Sequence, residues 1–329
     1  MNRINVCFAL GVVGGLSASL ATDPLLAQAR YPDKAIRIVV AFPPGGGTDI
    51  MARLLGAKLA QTYAQQVVVE NKTGGGGSIG TADVARAKPD GYTLIVGTTS
   101  THAINPLTIK NLTYDAIKDF VPIYMLGTST YAIVAHPNVA RTLPELIKRV
   151  RASPGKYSFG SSGTGGSTHL AGELFKKQAG NLDIVHVPYR GSAQSVIDLA
   201  SGQIPLIISG FSSVNTYHRS GRIRILAAFS EKRIEYAPEI PTAIEQGVPD
   251  MVAYTYNALF APLGTPEAVV DQLYQTTLKI MTDTAFQKEL QDLGIEAIAD
   301  SSPRKATQAV KDELAKWTPV IKATGLEAR

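Results

Sequence analysis

Twice in this chain a glycine-rich segment sits between an apolar, strand-like run and a helix-period run. No other feature constrains the fold as much. The first segment is Ala41-Phe42-Pro43-Pro44-Gly45-Gly46-Gly47-Thr48-Asp49, which follows Ile36-Arg37-Ile38-Val39-Val40. The second is Phe159-Gly160-Ser161-Ser162-Gly163-Thr164-Gly165-Gly166-Ser167-Thr168-His169, which leads into Leu170-Ala171-Gly172-Glu173. Such a loop presents backbone N–H groups at a helix N-terminus, where the helix dipole also favours negative charge. Two of them imply two lobes, each offering half of an anion clamp. This is an arrangement for binding.

Around these loops, short apolar runs alternate with helical patterns. Strands are expected over residues 36–42, 67–70, 92–97, 131–136, 157–160, 184–188, 205–209 and 223–229. The runs are β-branched and lack clean alternation, as in strands covered on both faces. Asp49 is placed to cap a helix whose apolar set is Ile50, Leu54, Leu55 and Leu59. Near the C-terminus Val310, Leu314, Trp317 and Ile321 recur on one helical face. The fold class expected is α/β: a two-lobed clamshell of mostly parallel sheets with helices on both faces and a ligand cleft between the lobes. In such sheets ligands sit at the carboxyl ends of strands, where both loops lie. Chain crossings near Gly127 to Thr130 and Val252 to Asn257 would assign 30–128 to lobe 1, 129–254 to lobe 2 and 255–329 to lobe 1 again.

Residues 1–29 read as a cleaved signal peptide. Arg3 precedes the apolar stretch from Cys7 to Ala21, and Ala27-Gln28-Ala29 supplies the small-residue site, placing cleavage after Ala29 and the protein in the periplasm. The stretch is too short and too interrupted by Gly and Ser to span a membrane. Cys7 is the one cysteine of the chain, so the exported part has neither a disulfide nor thiol chemistry. The net charge of +5 is compatible with an anionic ligand, and no basic block points to nucleic acid.

Neither glycine loop is a nucleotide loop, because both lack the Gly-x-Gly-x-x-Gly spacing or a following Gly-Lys-Ser/Thr. Gly76-Gly77-Ser78-Ile79-Gly80 formally matches the Gly-x-Ser-x-Gly nucleophile elbow. That elbow needs its serine on a sharp turn directly after a strand, and here Asn71-Lys72-Thr73 and four glycines intervene. A secreted serine esterase using Ser78 is therefore the alternative reading. The five histidines form no His-x-x-x-His pair, so neither a metal nor another cofactor is expected. His169 falls in the first turn after the second loop, facing either a ligand or the loop backbone. Arg190 follows the strand over 184–188, at a strand's carboxyl end. The hydroxyl-rich segments Thr98-Thr99-Ser100-Thr101-His102 and Ser209-Gly210-Phe211-Ser212 are placed to line a polar cleft.

With these motifs in order, the chain resembles the Bug-type periplasmic solute-binding proteins, the substrate receptors of tripartite tricarboxylate transporters. The resemblance runs from about Tyr31 to the C-terminus. It rests on the first loop, Ala52-Arg53, Glu70-Asn71, Pro89-Asp90-Gly91-Tyr92-Thr93-Leu94, Tyr114-Asp115 and Lys118-Asp119-Phe120. It continues through Gly160-Ser161-Ser162-Gly163, His169-Leu170-Ala171-Gly172-Glu173, Pro188-Tyr189-Arg190-Gly191, Pro241-Thr242 and Ala261-Pro262-Leu263-Gly264-Thr265-Pro266. It implies that the two loops grip one ligand carboxylate, largely through backbone amides and ordered waters. Gly202-Gln203-Ile204-Pro205 and Tyr254-Thr255-Tyr256-Asn257 depart from the family pattern near the cleft.

The function expected is capture of a small aromatic or aliphatic mono- or dicarboxylate, by a monomer, for the membrane permease subunits of a tripartite tricarboxylate-type transporter or for sensing, with no catalysis. Ligand contacts are expected from Phe42, Pro44, Gly45, Gly46, Gly47, Thr48, Asp49, Thr98 and Thr99 on one side. The other side would use Ser161, Ser162, Gly163, Thr164, Gly165, Ser167, Thr168, His169, Arg190, Ser209 and Phe211, with Tyr256 and Asn257 as further candidates.

Overall fold

A computed structural model describes residues 31–326; the signal-peptide reading falls outside these residues. The chain opens with β1 (Ile36–Val40), α1 (Gly47–Tyr63), β2 (Val67–Asn71), α2 (Ser78–Ala85), β3 (Thr93–Thr98) and α3 (Asn105–Thr108). The long β4 (Phe120–Ala135) then leads to α4 (Leu143–Ala152), β5 (Tyr157–Ser161), α5 (Ser167–Gln178), β6 (Ile184–Pro188) and α6 (Ser192–Ala200). Next come β7 (Leu206–Gly210), α7 (Phe211–Arg219), β8 (Arg224–Ala228) and β9 (Tyr254–Pro262). The chain closes with α8 (Glu267–Met281), α9 (Thr284–Asp292), β10 (Glu296–Ala297) and α10 (Pro303–Thr324).

One curled sheet runs β2-β1-β3-β9-β4-β7-β5-β6, with β8 and β10 also paired to β4. The parallel pairing expected from the β/α alternation holds for β2-β1-β3 and for β6-β5-β7. Between these blocks β4 and β9 are antiparallel to their neighbours, so the sheet is mixed. The first half of β4 was not legible, because Pro122 and Gly127 interrupt its apolar run, and its register shifts beside both. Segments 127–130 and 254–257, read as chain crossings, pair side by side as the meeting stretch of β4 and β9.

Helices cover both faces of each parallel block. Met51, Leu55 and Leu59 of α1 pack with Leu273 and Met281 of α8 on one face of the first block. Ala82 and Val84 of α2 pack with Ala306 and Val310 of α10 on the other. In the second block Leu146 of α4 and Phe175 of α5 cover one face, and Leu199 of α6 and Val214 of α7 cover the opposite one. The one-faced pattern of α10 is observed, and it bridges two clusters: Val310 belongs to the first block, Trp317 and Ile321 to the second. This leaves the carboxyl ends of the parallel strands facing one another across the middle of the molecule.

Candidate binding chamber

Four helices direct their N-termini into one chamber. Gly46, Gly47 and Thr48 bring the start of α1, Ser167 and Thr168 that of α5, Ser192 that of α6, and Gly210, Ser212 and Ser213 that of α7. Thr98, Ser100, Tyr131, Thr255 and Asn257 complete the polar wall, with Phe42 and Pro43 as its apolar part. Each of the four helices is capped by a glycine that brings no side-chain hydrogen bond: Gly46, Gly166, Gly191 and Gly210. By contrast α4, α9 and α10, none of which reaches the chamber, carry side-chain caps from Thr142, Asp283 and Ser302. The rule is not universal, since α2, α3 and α8 begin behind Gly77, Ile104 and Pro266 without a side-chain cap. Even so, none of the four helices that meet here has a side-chain N-cap of its own. Single first-turn N–H groups of α1, α5 and α7 are taken by serines from elsewhere (Gly47 by Ser213, Ser167 by Ser100, Ser212 by Ser129), and the rest carry the partial positive charge of a helix start.

Lysine, arginine and histidine are absent from the lining, and its one charged residue, Asp49, is spent internally. Asp49 sits in the first turn of α1, not at the capping position expected. Its carboxylate accepts from the Gly45 N–H (2.9 Å), Arg53 Nε (3.0 Å) and Asn71 Nδ2 (2.9 Å). Burial pushes this carboxyl up, but the hydrogen bonds from Arg53, Gly45 and Asn71 outweigh it and hold the pKa below its ordinary value. Gly45, at φ +85°, takes the left-handed conformation this turn requires. The chamber's electrostatics therefore come from backbone amides and hydroxyls, with no cationic side chain in its lining.

The second loop is braced by histidine. His169 Nδ1 accepts the Gly165 N–H at 3.0 Å, and its ring stacks on His186 with centroids 3.7 Å apart. His186 Nε2 in turn meets Ser161 Oγ at 2.7 Å, and Thr168 Oγ1 accepts the Ser162 N–H at 2.8 Å. Burial pushes both imidazoles down to about 4, with the Lys176 charge adding to it, so both are neutral at pH 7.

Contacts between the two blocks close the chamber to about 60 Å³. The Gly47 N–H donates to Ser213 Oγ (3.2 Å) and Ser100 Oγ bonds Ser167 Oγ (2.7 Å), while within the second block the Tyr131 hydroxyl also reaches Ser167 Oγ. A Cβ on Gly47 would lie 1.9 Å from Ser212 Oγ and 2.9 Å from its Cβ. One on Gly191 would lie 2.7 Å from Pro43 Cδ. Glycine at these positions permits the approach.

Of the residues expected at the site, Phe42, Gly46, Gly47, Thr48, Asp49, Thr98, Ser162, Ser167 and Thr168 line the chamber, as does Asn257. Gly163, Thr164 and Arg190 line an adjoining cavity of about 660 Å³ that shares Phe42 and Ser162 with it. The remainder stand back from the wall. Pro44 and Gly45 shape the first loop, and Ser161, Gly165 and His169 brace the second. Thr99 is buried with its hydroxyl accepting the Tyr256 N–H (3.1 Å). Ser209, Phe211 and Tyr256 are buried outside the lining, Phe211 in the core with Val214. Ser192, Ser213 and Tyr131 were not foreseen, whereas Ser100, Gly210 and Ser212 belong to the hydroxyl-rich segments expected to line a polar cleft and Thr255 to the segment placed near it. The signal was present in part: Gly191-Ser192 and Gly210-Phe211 repeat the glycine-before-helix pattern in shorter form.

Ser78 opens α2 on the rim of the adjoining cavity, and among the described residues no hydrogen bond joins it to a histidine. His102 is fully buried, bonded to Thr101 Oγ1 and stacked on Phe260, with its pKa pushed down by burial to about 3. Among the described residues no group of three His, Cys, Asp or Glu forms a metal site, and no helix is long and apolar enough to cross a membrane.

Comparison with known proteins gives the family and the fold. The tripartite tricarboxylate transporter family receptor model (TctC) matches residues 51–326. BugT of Bordetella pertussis is 32% identical over 99% of this chain and 100% of its own. A solved periplasmic transporter is 39% identical with a TM-score of 0.87, covering 90% of this chain and 99% of its own. Rpa4515 of R. palustris, solved with adipate, is 33% identical with a TM-score of 0.87 over 91% of this chain and 100% of its own. MatC of Rhodopseudomonas palustris, solved with bound malate, is 28% identical with a TM-score of 0.83, covering 88% and 100%. This is a family of solute-binding receptors rather than enzymes. The chain belongs to the TctC/Bug family and is a periplasmic solute-binding protein of the periplasmic-binding-protein fold.

Proposed function

We propose that this receptor captures a small organic carboxylate in the four-helix chamber and delivers it to the permease of a tripartite tricarboxylate-type transporter. The observation that carries the reading is the convergence of four glycine-capped helix N-termini on a cavity without a cation. Such a site stabilises one carboxylate by amide and hydroxyl donors and discriminates against neutral solutes, whose oxygens gain far less from the dipoles. A tricarboxylate would bring three charges to a lining whose one charged side chain is already acidic.

The chamber's ≈ 60 Å³ corresponds to about four or five water-sized spheres, enough for a carboxylate and a few carbons. A longer ligand would extend past Phe42 toward Arg190, an exposed arginine suited to a second carboxylate. In this reading residues 1–29 direct export and are cleaved after Ala29, and the mature protein acts as a monomer. Lobe 1 (30–128 with 255–329) and lobe 2 (129–254) close by bending where β4 and β9 meet, and the permease recognises the closed form.

A thermal-shift panel tests this, because ligand at about 100 times its dissociation constant adds about 2.7 kcal/mol to stability. Benzoate-, phthalate- or nicotinate-type acids, or aliphatic dicarboxylates such as adipate, should rank above citrate and above neutral sugars. Citrate ranking first would refute the charge argument, and a neutral sugar ranking first would overturn the anion grip.

A further inference from the structure

Asn257 is the one chamber residue with a buried polar atom left without a partner. It is 1% exposed, lines the chamber, and its Oδ1 has no hydrogen-bond donor. The backbone around it is fixed. Asn257 pairs with Thr98 of β3 on one side and Gly127 of β4 on the other, and the preceding Tyr256 N–H is bound by Thr99 Oγ1. Its Cα is thus held in the middle of a three-strand ladder.

Its chemistry also differs from its surroundings. The helix N-termini offer N–H donors, and the serines and threonines offer hydroxyls that can turn to donate to an anion. The Asn257 carboxamide has donors too, on Nδ2, but its oxygen only accepts. A carboxylate held by the amides has no proton to give it, so the group that satisfies Oδ1 must be a donor elsewhere on the ligand. In a chamber this small that donor lies within a few atoms of the gripped carboxylate.

We propose that Asn257 is a specificity-determining residue that selects carboxylates bearing a hydroxyl or amino donor near the gripped carboxylate. This rests on the carboxylate reading above and narrows it to substituted acids. A ligand bearing the donor would pair an oxygen that is otherwise buried and unpaired, a gain that a ligand lacking it does not make. Because the acceptor is fixed relative to the amides, the selection is also stereochemical.

The test is isothermal titration calorimetry on the full mature protein with three matched pairs: succinate against L- and D-malate, propionate against L- and D-lactate, and phenylacetate against the two mandelates. For at least one pair, one enantiomer of the hydroxy acid should bind about tenfold or more tighter than the unsubstituted acid. In Asn257→Leu, similar in volume but without the acceptor, the affinity ratio of hydroxy to unsubstituted acid and that between enantiomers should both fall to within about twofold. Hydroxy and unsubstituted acids binding alike to the wild type would overturn the assignment without needing any variant. Discrimination that survives in Asn257→Leu would assign it to another residue. If none of the acids binds, the carboxylate reading fails and this inference falls with it. If they bind without discrimination, only the role of Asn257 falls.

Discussion

Asp49 is the residue on which the first loop depends. It ties the Gly45 amide, the Arg53 guanidinium and the Asn71 carboxamide to one buried carboxylate. Asp49→Ala removes all three ties and strands their donors, so it should cost about 2 kcal/mol of stability and weaken ligand binding, measured by urea unfolding and calorimetry. Unchanged affinity would mean the loop holds its shape without the brace. The histidine brace makes a pH statement. His169 and His186 have folded pKa values lowered to about 4 from 6.5, so between these values the unfolded chain binds more protons. Their contribution is complete above about pH 6.5 and is lost progressively as pH falls through 4. Asp49, also lowered, keeps its contribution above its ordinary carboxyl pKa of 3.8 and loses it below. The melting temperature should therefore fall between pH 6.5 and 4, and the paired change His169→Gln with His186→Gln should flatten that slope. A slope unaltered by the pair would place the titration elsewhere. At this scale the sequence was legible where a residue type has one use, such as the glycines of the first loop. Asp49 illustrates the limit. An aspartate at a helix start is read as a cap, and only the fold reveals Arg53 and Asn71 turning it inward.

At the scale of elements, the proposed anion grip is a property of four helix starts more than of any side chain. Gly46 has φ −83°, and a Cβ there would meet nothing closer than the Pro43 carbonyl oxygen at 3.9 Å, so Gly46→Val should fold normally yet fill part of the chamber and lower affinity tenfold or more. Circular dichroism separates that outcome from unfolding. Near-wild-type binding by a folded variant would put the grip elsewhere. Gly163→Val carries strain of its own at φ +148° and is the less clean test. The two long loops were legible because their glycine runs are unmistakable between a strand and a helix. The starts of α6 and α7 were not, since a lone Gly191 or Gly210 also reads as an ordinary turn. Their role depends on β6 and β7 ending at the same level as β1 and β5, which is tertiary information.

At the scale of the molecule, two parallel blocks joined through β4 and β9 meet over a chamber that glycines allow to close. Gly47→Ala places a methyl group 2.9 Å from Ser212 Cβ and should hold the blocks apart, increasing the radius of gyration with ligand present and lowering affinity. Ser212→Gly should restore much of both, and its failure to do so would show that this contact does not limit closure. The alternation of strands and helices made the architecture legible. The mixed centre of the sheet was hidden by Pro122 and Gly127 within β4 and by the crossing character of 254–257. The central claim is that backbone dipoles and hydroxyls, without a cation, grip a carboxylate. It is tested most directly by calorimetric titration of acids from the thermal-shift panel against their own amides, equal in size and neutral in charge. The carboxylates should bind at least about 100-fold tighter than the amides. Amides binding as tightly as their acids would contradict it.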